Sequence, residues 1–537
     1  MQSLSEHLRS TNAIRFFRVP KRCPSVVSYQ RNATTSANRT TPEEPHIAVL
    51  GGGITGLSAA FHLARKFPTT KITIVEGSNH VGGWLDSHRV NVGGGTVLLE
   101  KGPRTLRSSS KATLELIHLL GLEKELLVVA NSEPAAKTRF LHLSGSSRGL
   151  SPLPSPSSLL SLITSPVSGQ IFKGVQHDFW TAYNRPNTED ESVDAFFTRR
   201  FGPDFARVFA SALVHGIYAT DSRKLSLRAA YPMLWHAEAY GGGSVVWGAL
   251  KPKPKRPVDN SPSYQLGGLL PQLMKDAAVY SFKDGLSTLP NAIVEHLKSR
   301  GNVEIKTGDP ISSINLGRPF KVTTKSGSMI SPTHIISALP VKQLAAALRA
   351  AHTEQNRALL SLASARSPES STIHVTNLIF PPAERPLNPL GFGYLVPRPV
   401  EGYETEENSQ GILGAIFDTV SMGKQDTADG YTKMGIISGG PYRSAHTKPN
   451  VDLLLKDLRT SLGSRYELPD PIYSSTTECK ECIPLFEPGH LKWVEKLKGT
   501  LKNYGENKVQ IIGAGVGGVS IPDCIEQGRS SSVEITL

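Results

Sequence analysis

Four cysteines in 537 residues are too few for a disulfide scaffold, and no second pair completes a zinc set with Cys479-Lys480-Glu481-Cys482. Pro484 argues against the long helix that a thioredoxin-type pair requires, so Cys479, Cys482, Cys23 and Cys524 read as free thiols. The 16 histidines form no H-x-x-x-H cluster, and no metal is expected. No apolar run approaches the roughly 18 residues needed to span a bilayer, so membrane association is expected to be peripheral or monotopic. Acid is scarce at the start: Glu6 alone precedes Glu43. Arg9, Arg15, Arg18, Lys21, Arg22, Arg31 and Arg39 recur there among Ser and Thr, with Leu8, Ile14, Phe16 and Phe17 as a small apolar face. This is the pattern of a mitochondrial transit peptide, an ordinary disordered tail being the other reading. A secretory signal would need a long apolar core. Part of the formal net charge of +13 lies in this segment, and no aromatic platform or known motif accompanies the charge, so nucleic acid is not an expected partner.

What the chain has in plenty is glycine, 48 residues, and the most telling are near the start. His46–Leu50 is a short apolar run suited to a buried parallel strand. Gly51, Gly53 and Gly56 follow at G-x-G-x-x-G spacing, with Gly52, Ile54 and Thr55 between them. Leu57, Ala60, Phe61 and Ala64 then recur on one face of a helix, and Lys71–Val75 is a second strand closed by Glu76. Gly51 permits a tight turn, Gly53 lets backbone approach a pyrophosphate, and Gly56 allows close helix–strand packing. The free N–H groups of the helix start favour an anion. Glu76 follows at the distance where an acid accepts bonds from a ribose hydroxyl. These features predict a dinucleotide site without separating FAD from NAD.

Further along, 111–130 reads as one helix with Leu114, Ile117, His118 and Leu120 to one side, and 137–143 as a short strand. The Ser/Pro/Leu-rich stretch 144–168 contains Leu159, Leu160, Leu162 and Ile163. It is either a loop packed on the core or a segment dipping into one leaflet. Residues 190–240 are helical by period until Gly241-Gly242-Gly243. The basic loop KPKPKRP reads as solvated, with anionic lipid headgroups the alternative. Strands are expected at Val303–Lys306, Lys321–Thr324 and 334–339, and alternating strands and helices over 345–500. A final strand at 509–512 precedes a second glycine cluster, Gly513-Ala514-Gly515-Val516-Gly517-Gly518. The chain ends too soon for another βαβ unit, so this strand should feed a helix starting near Val519 and aimed at the same cofactor.

Val81-Gly82-Gly83-Trp84 and Glu100-Lys101-Gly102-Pro103-Arg104 resemble the continuation of the glycine motif in amine oxidase-like FAD enzymes, the GR2-type flavoproteins. Over nearly the whole length after residue 45, the stretches GGGITGLSAAFHL, VGGW, KTRFLHL, HGIYATDSRKLSLRAAYP, FKDGLSTLP, HIISALP, GFGYLVP, ECIPLFEPGH and GVSIPDCIEQGR are similar, in order, to the protoporphyrinogen oxidases. That resemblance implies an α/β fold: a GR2-type FAD-binding Rossmann-like domain, a mixed-sheet substrate domain and a helical membrane-associated domain. The expected segments are 1–44 (transit peptide), 45–133, 266–344 and 501–537 (FAD-binding), 134–265 (helical, membrane-associated) and 345–500 (substrate-binding). It also implies oxidation of protoporphyrinogen IX to protoporphyrin IX in three hydride transfers to non-covalent FAD, with dioxygen reduced to hydrogen peroxide. The implied location is the intermembrane-space face of the mitochondrial inner membrane, with a homodimer and contact with ferrochelatase.

The flavin carries the chemistry, so no catalytic side chain is assigned. The family's FAD positions fall on Gly51, Gly52, Gly53, Ile54, Thr55, Gly56, Glu76, Gly83, Trp84, Gly102, Pro103, Arg104, Thr105, Ile311, Ala514, Val519, Ser520 and Ile521. Arg139 matches an arginine that pairs with a substrate propionate, its other reading being a surface salt bridge. Phe392 and Leu395 match residues that sandwich the tetrapyrrole, or are plain core; Gly216 and Gly393 match backbone-lined pocket positions. His215 stands where animal enzymes have arginine and Leu491 where some relatives have an aromatic, departures expected to alter pocket shape. Two alternatives carry different chemistry: a generic amine oxidase, some of which hold FAD through a cysteine, and a GDP dissociation inhibitor-like protein without flavin.

Overall fold

The central strand explains the core. In the computed structural model, His46–Leu50 lies in the middle of a five-stranded parallel sheet, ordered Val303–Lys306, Lys71–Val75, His46–Leu50, His334–Ser337, Val509–Ile511. Such a sheet is covered on both faces, so its middle strand is apolar on both. Ile47 and Val49 meet Leu57 and Phe61 of helix Ile54–Lys66, Ile293 and Leu297 of helix Thr288–Lys298, and Ile525 of the last helix, Ile521–Glu534. Ala48 and Leu50 face Val341, Leu344 and Leu348 of helix Val341–Ala350, and Trp493, Leu497 and Leu501 of helix His490–Gly505. The structure describes residues 44–143, 149–154, 161, 165–181, 188–252, 263–366, 368–404, 408–442, 446–505 and 507–537. The transit segment, Leu159, Leu160, Leu162, Ile163, Cys23 and nearly all of KPKPKRP lie outside them.

The two ends of the described chain are locked together. Gly528 has no Cβ where one would stand 2.7 Å from the Ala59 nitrogen, so the last helix lies directly on helix Ile54–Lys66. Ser58 Oγ donates to the Ile525 carbonyl at 2.9 Å. Lys66 Nζ donates to the carbonyls of Ser532, Val533 and Ile535, placing a cation at the helix C-terminus, where the macrodipole favours one.

A second, mixed sheet has seven strands in the order Tyr473–Pro484, Ser370–Phe380, Thr432–Gly439, Ile412–Ile416, Gly393–Leu395, Phe140–Leu141, Ser151–Pro152. Its last two strands come from the segment expected to be helical. Phe140 buries on one face and Leu141 on the other, which only a strand permits. Helix Val451–Leu462 covers the face carrying Phe140, Tyr394 and Phe417.

The expected helix over 111–130 is half right. Helix Lys111–Leu119 stops because Gly121 takes φ +69° and Leu122 N donates back to Ile117 O, the 6→1 bond of a Schellman end. The apolar run Leu126–Ala130, with β-branched Val128 and Val129, then pairs with Ala277–Phe282, a strand unforeseen from sequence. Of 137–143, only Phe140–Leu141 pairs. Residues 190–240 are helical as expected, in short pieces ending at Tyr240. Arg200 is fully buried among them: Nε lies 3.0 Å from Glu238, and the guanidinium also donates to the Thr181 and Gly243 carbonyls. Among the described residues, no helix is long and apolar enough to cross a membrane.

The junction of the chain ends gives a test. Gly528→Val should lower stability by about 1–3 kcal/mol through overpacking against Ala59 and Thr55. It should also reduce retained flavin, read from the melting temperature and visible spectrum of the purified protein.

Candidate functional site

Three loops meet at the C-terminal ends of the parallel strands, where ligands of open α/β sheets bind. Gly51 leaves strand His46–Leu50 at φ +101°, and a Cβ there would stand 3.2 Å from the Ala338 carbonyl. A Cβ on Gly56 would stand 2.0 Å from Gly51 O, so the helix can start this close only with glycine. A Cβ on Gly53 would meet no atom within 4 Å; the N-cap of helix Ile54–Lys66 is an open face. That helix has neither a side-chain cap nor an acid in its first turn, which leaves its N–H groups for an anion. Ile54 and Thr55 form the turn itself.

The other glycines stack on this turn. Gly82 N donates to Gly52 O at 2.9 Å, and a Cβ on Gly83, at φ +63°, would lie 3.4 Å from Gly53 Cα. A Cβ on Gly102 would stand 2.3 Å from Trp84 O, so the turn carrying Gly102, Pro103 and Thr105 closes on Val81-Gly82-Gly83-Trp84. Glu76 is held rigidly: Oε2 accepts from Gly52 N at 2.7 Å, and Oε1 from Ser78 N and Oγ at 2.8 and 2.9 Å. Its remaining lone pairs are the ones available to a ribose. Ile311 begins a strand just past Asp309, whose N donates to the Glu76 carbonyl. Ala514 and Ile521 lean on the core beneath helix Ile54–Lys66. These residues fit a dinucleotide: a side-chain-free cradle, free N–H groups and a fixed carboxylate at one edge.

The geometry revises two expectations. The last helix starts at Ile521, and its first turn is capped from within the chain. Ser520 and Asp523 form a capping box there, and Asp523 puts a carboxylate in the first turn. Val519 instead packs beside the helical cluster around Phe196 and Tyr218. Arg104 also turns away from the cradle. Its buried guanidinium donates to Asp418 at 3.1 Å, Asn377 at 2.8 Å and Gly102 O at 3.2 Å, with side-chain-free Gly435 packed against it. That charge is spent pinning the turn to the second sheet. Asn377 in turn donates to the Glu100 carbonyl at 2.9 Å.

The five substrate positions form a connected edge. The Arg139 guanidinium lies 5.7 Å from the Phe392 ring centroid and donates to Ala136 O. Among the described residues no carboxylate pairs with it, so the surface salt bridge is absent there. Burial, then the nearby Arg107 charge, disfavours its cationic form, a cost that a bound anion would relieve. Phe392 N donates to Thr138 O at 2.9 Å, and Tyr394 and Leu395 lie opposite Phe140 and Leu141. A Cβ on Gly393 would fall 2.2 Å from Ala415 O, and one on Gly216 would fall 2.9 Å from Leu395 Cδ2. His215 points the other way, into the core. Its Nδ1 is 2.7 Å from the Val396 carbonyl and so carries the proton, leaving Nε2 to accept from the Tyr403 hydroxyl at 2.9 Å. Burial lowers its pKa to about 4, so the ring is neutral and shapes the site only from behind. A cavity of about 560 Å³, whose walls include His142, Val396, Arg398 and Asp457, has none of the glycine or substrate positions on its lining.

Sequence reasoning missed Glu100 as a functional group, along with Asn377 and Asp418. The Glu100 carboxylate is buried, accepts from Ser87 Oγ at 2.7 Å and Leu286 N at 2.8 Å, and has its pKa pushed up to about 7 by burial. No local pattern marks it, because its surroundings come from distant segments. Since the folded pKa lies above that of the unfolded chain, the contribution is present below about pH 4.5 and lost as pH rises through 7. We expect the stability of the native protein relative to Glu100→Gln to fall by about 2–3 kcal/mol between pH 5 and 8. Urea unfolding at the two pH values checks this; equal shifts in both proteins would refute it.

The flavin containing amine oxidoreductase family model matches residues 54–536. Protoporphyrinogen oxidase of Macaca fascicularis is 31% identical over 91% of this chain and 98% of its own, and that of Bos taurus is 32% identical with the same coverage. A candidate protoporphyrinogen oxidase from Exiguobacterium sp. 255-15 shares the fold in its crystal structure, with a TM-score of 0.70 and 20% identity over 91% of this chain and 98% of that one. The mixed α/β fold is of the amine oxidase type, and the cofactor that fits the glycine cradle is FAD. The chain belongs to the flavin-containing amine oxidoreductases and, within them, to the protoporphyrinogen oxidase family.

Proposed function

We propose that this protein oxidises protoporphyrinogen IX to protoporphyrin IX, with dioxygen as final acceptor and three hydrogen peroxide formed per porphyrin. The observation that carries this reading is Arg139, a cation without a carboxylate partner among the described residues, set against Phe392 at the head of the edge that runs to Leu395 and Gly216. A propionate would take both guanidinium donors in the bidentate geometry arginine offers. Phe392 and Leu395 then supply apolar walls for a flat macrocycle. Gly216 and Gly393 keep those walls thin, since a side chain at either would fill the slot or strike its backbone. A bound FAD would supply the hydride acceptor for each round of aromatisation. The protein's part is to position the ring and exclude water, since aromatisation supplies the driving force.

The helical segment within 134–265 supports membrane association through its outward face. Helix Ser168–Trp180 turns Phe172, Phe179 and Trp180 to the surface while burying Asp178, the reverse of a soluble amphipathic helix. Met233 and Tyr240 of helix Pro232–Tyr240 and Trp247 and Leu250 of helix Val245–Leu250 extend that exposed set, and the three helices pack in succession. Aromatics at this density suit a headgroup–acyl boundary. Residence on the intermembrane-space face of the mitochondrial inner membrane belongs to this proposal, supported by the composition of residues 1–44. A homodimer and product transfer to ferrochelatase complete it and rest on the family resemblance alone.

Mixing the purified protein with protoporphyrinogen under anaerobic conditions should bleach the flavin as porphyrin fluorescence appears; an unchanged flavin spectrum overturns the reading. A flavin that stays on the protein in acid would favour the amine oxidase alternative. Arg139→Ala should weaken substrate binding by about 1.5–3 kcal/mol, roughly 10- to 150-fold, with flavin content unchanged. Equal affinity removes Arg139 from the site. Trp180→Glu combined with Met233→Glu should release the protein from lipid vesicles in flotation while leaving it yellow. Continued flotation counts against this face as the anchor.

A further inference from the structure

We propose that Cys479 and Cys482 are a redox-active dithiol that a hydroperoxide closes to a reversible disulfide. The pair lies outside the proposed oxidation of the substrate, and the case begins with strand geometry. Residues three apart on a regular strand point to opposite faces, so a C-x-x-C inside a strand normally separates its sulfurs. Strand Tyr473–Pro484 breaks that rule between the two cysteines. Cys479 stands opposite Ile373 and Ile483 opposite Ser371, which leaves Lys480, Glu481 and Cys482 facing Thr372 alone. The extra residues form a bulge, with Glu481 at φ +48° and its N–H donating to Thr372 Oγ1 at 3.0 Å. A bulge re-aims side chains, and this one sets the two thiols close enough for each to shift the other's ionisation.

Their surroundings divide the labour. Cys479 is buried, with its Sγ 3.5 Å from the carbonyl of Lys101, the residue before the Gly102 turn of the cofactor site. The neighbouring Cys482 thiol draws the Cys479 thiol below its ordinary pKa, and the Arg104 charge acts the same way against burial. Cys482 is half-buried as a residue, with its Sγ 3.5 Å from Ser371 O. Cys524 offers the contrast: burial pushes its thiol up to about 11, and no second cysteine neighbours it among the described residues.

The chemistry balances with the peroxide as two-electron oxidant. The Cys479 thiolate attacks the peroxide oxygen, the O–O bond breaks, and the leaving oxyanion takes a proton to give an alcohol or water. Cys482 then attacks the Cys479 sulfenic acid, the S–O bond breaks, and a second water leaves as the S–S bond forms. Two thiols and one hydroperoxide thus become one disulfide, one alcohol or water, and one water. Closure removes the S–H that Lys101 O accepts, beside the turn that closes over Trp84. If dioxygen is the acceptor proposed above, peroxide arises within the same molecule. The dithiol proposal requires only that a peroxide reach it.

The test uses the full-length flavoprotein, reduced, freed of reductant and treated with hydrogen peroxide, then alkylated with N-ethylmaleimide after unfolding. Peptide mapping should find Cys479 and Cys482 unalkylated and joined, with the loss of two hydrogens, and Cys524 still alkylated. Dithiothreitol should restore alkylation of both. In Cys482→Ser, dimedone should capture a sulfenic acid on Cys479. If both cysteines of the native protein remain fully alkylated after peroxide, or carry only sulfinic or sulfonic acid with no bridged species, the proposal is wrong.

Discussion

Helix Ile54–Lys66 keeps its place because two neighbouring positions lack a Cβ. At its start, Gly56 passes over Gly51 O where a methyl would stand 2.0 Å away. On its outer side, Gly528 lets the last helix come within van der Waals range of the Thr55–Ala59 backbone. Everything at the cradle follows from that double approach. The helix N-terminus sits directly above the central strand, the second glycine pair can lie on the first, and strand Val509–Ile511 completes the sheet from the far end of the chain. Glycine costs folding entropy, which is why such positions cluster where a close approach returns more than it costs.

Buried charge performs a second task, holding together layers that apolar packing alone would leave free to slide. Arg104, Asp418 and Asn377 join the cofactor turn to the seven-stranded sheet, and Glu100 adds a carboxyl poised near neutrality beside them. Among the helices, Arg200 binds Glu238 and the Thr181 and Gly243 carbonyls, while Asp178 accepts from Ser244, Val245 and Val246. Buried ions of this kind add little net stability against an apolar core but cost several kcal/mol if one partner is lost. They suit helices such as Ser168–Trp180, whose apolar side chains turn outward and whose inward face is polar. The same inversion leaves an aromatic surface that a membrane boundary can accept.

Much of this was legible from local pattern. Strands His46–Leu50 and Lys71–Val75 announced themselves by apolar runs between turn residues, and Gly51, Gly53 and Gly56 by a spacing that only a tight strand–helix turn requires. Where pattern failed, another local signal or a distant partner had won. The helix expected through residue 130 ended at Gly121 because a left-handed residue there satisfied its last carbonyls. The short strand expected over 137–143 forms at Phe140–Leu141, but its partner Gly393–Leu395 lies some 250 residues on, a pairing no window of sequence contains.

The amino-acid sequence by itself determined the dinucleotide cradle, since each requirement there is met by residue type and short spacing: no Cβ, a free helix start, an acid at the end of the next strand. Tertiary structure alone decided where the charges and thiols went. It turned Arg104 inward to Asp418, left Arg139 over Phe392, set Gly216 against Leu395 and folded Cys479 toward Cys482. The physical reason is range. Backbone turns are governed by φ, ψ and neighbours a few residues away, whereas the partner of a buried polar side chain is whatever the packing of remote segments brings within 3 Å.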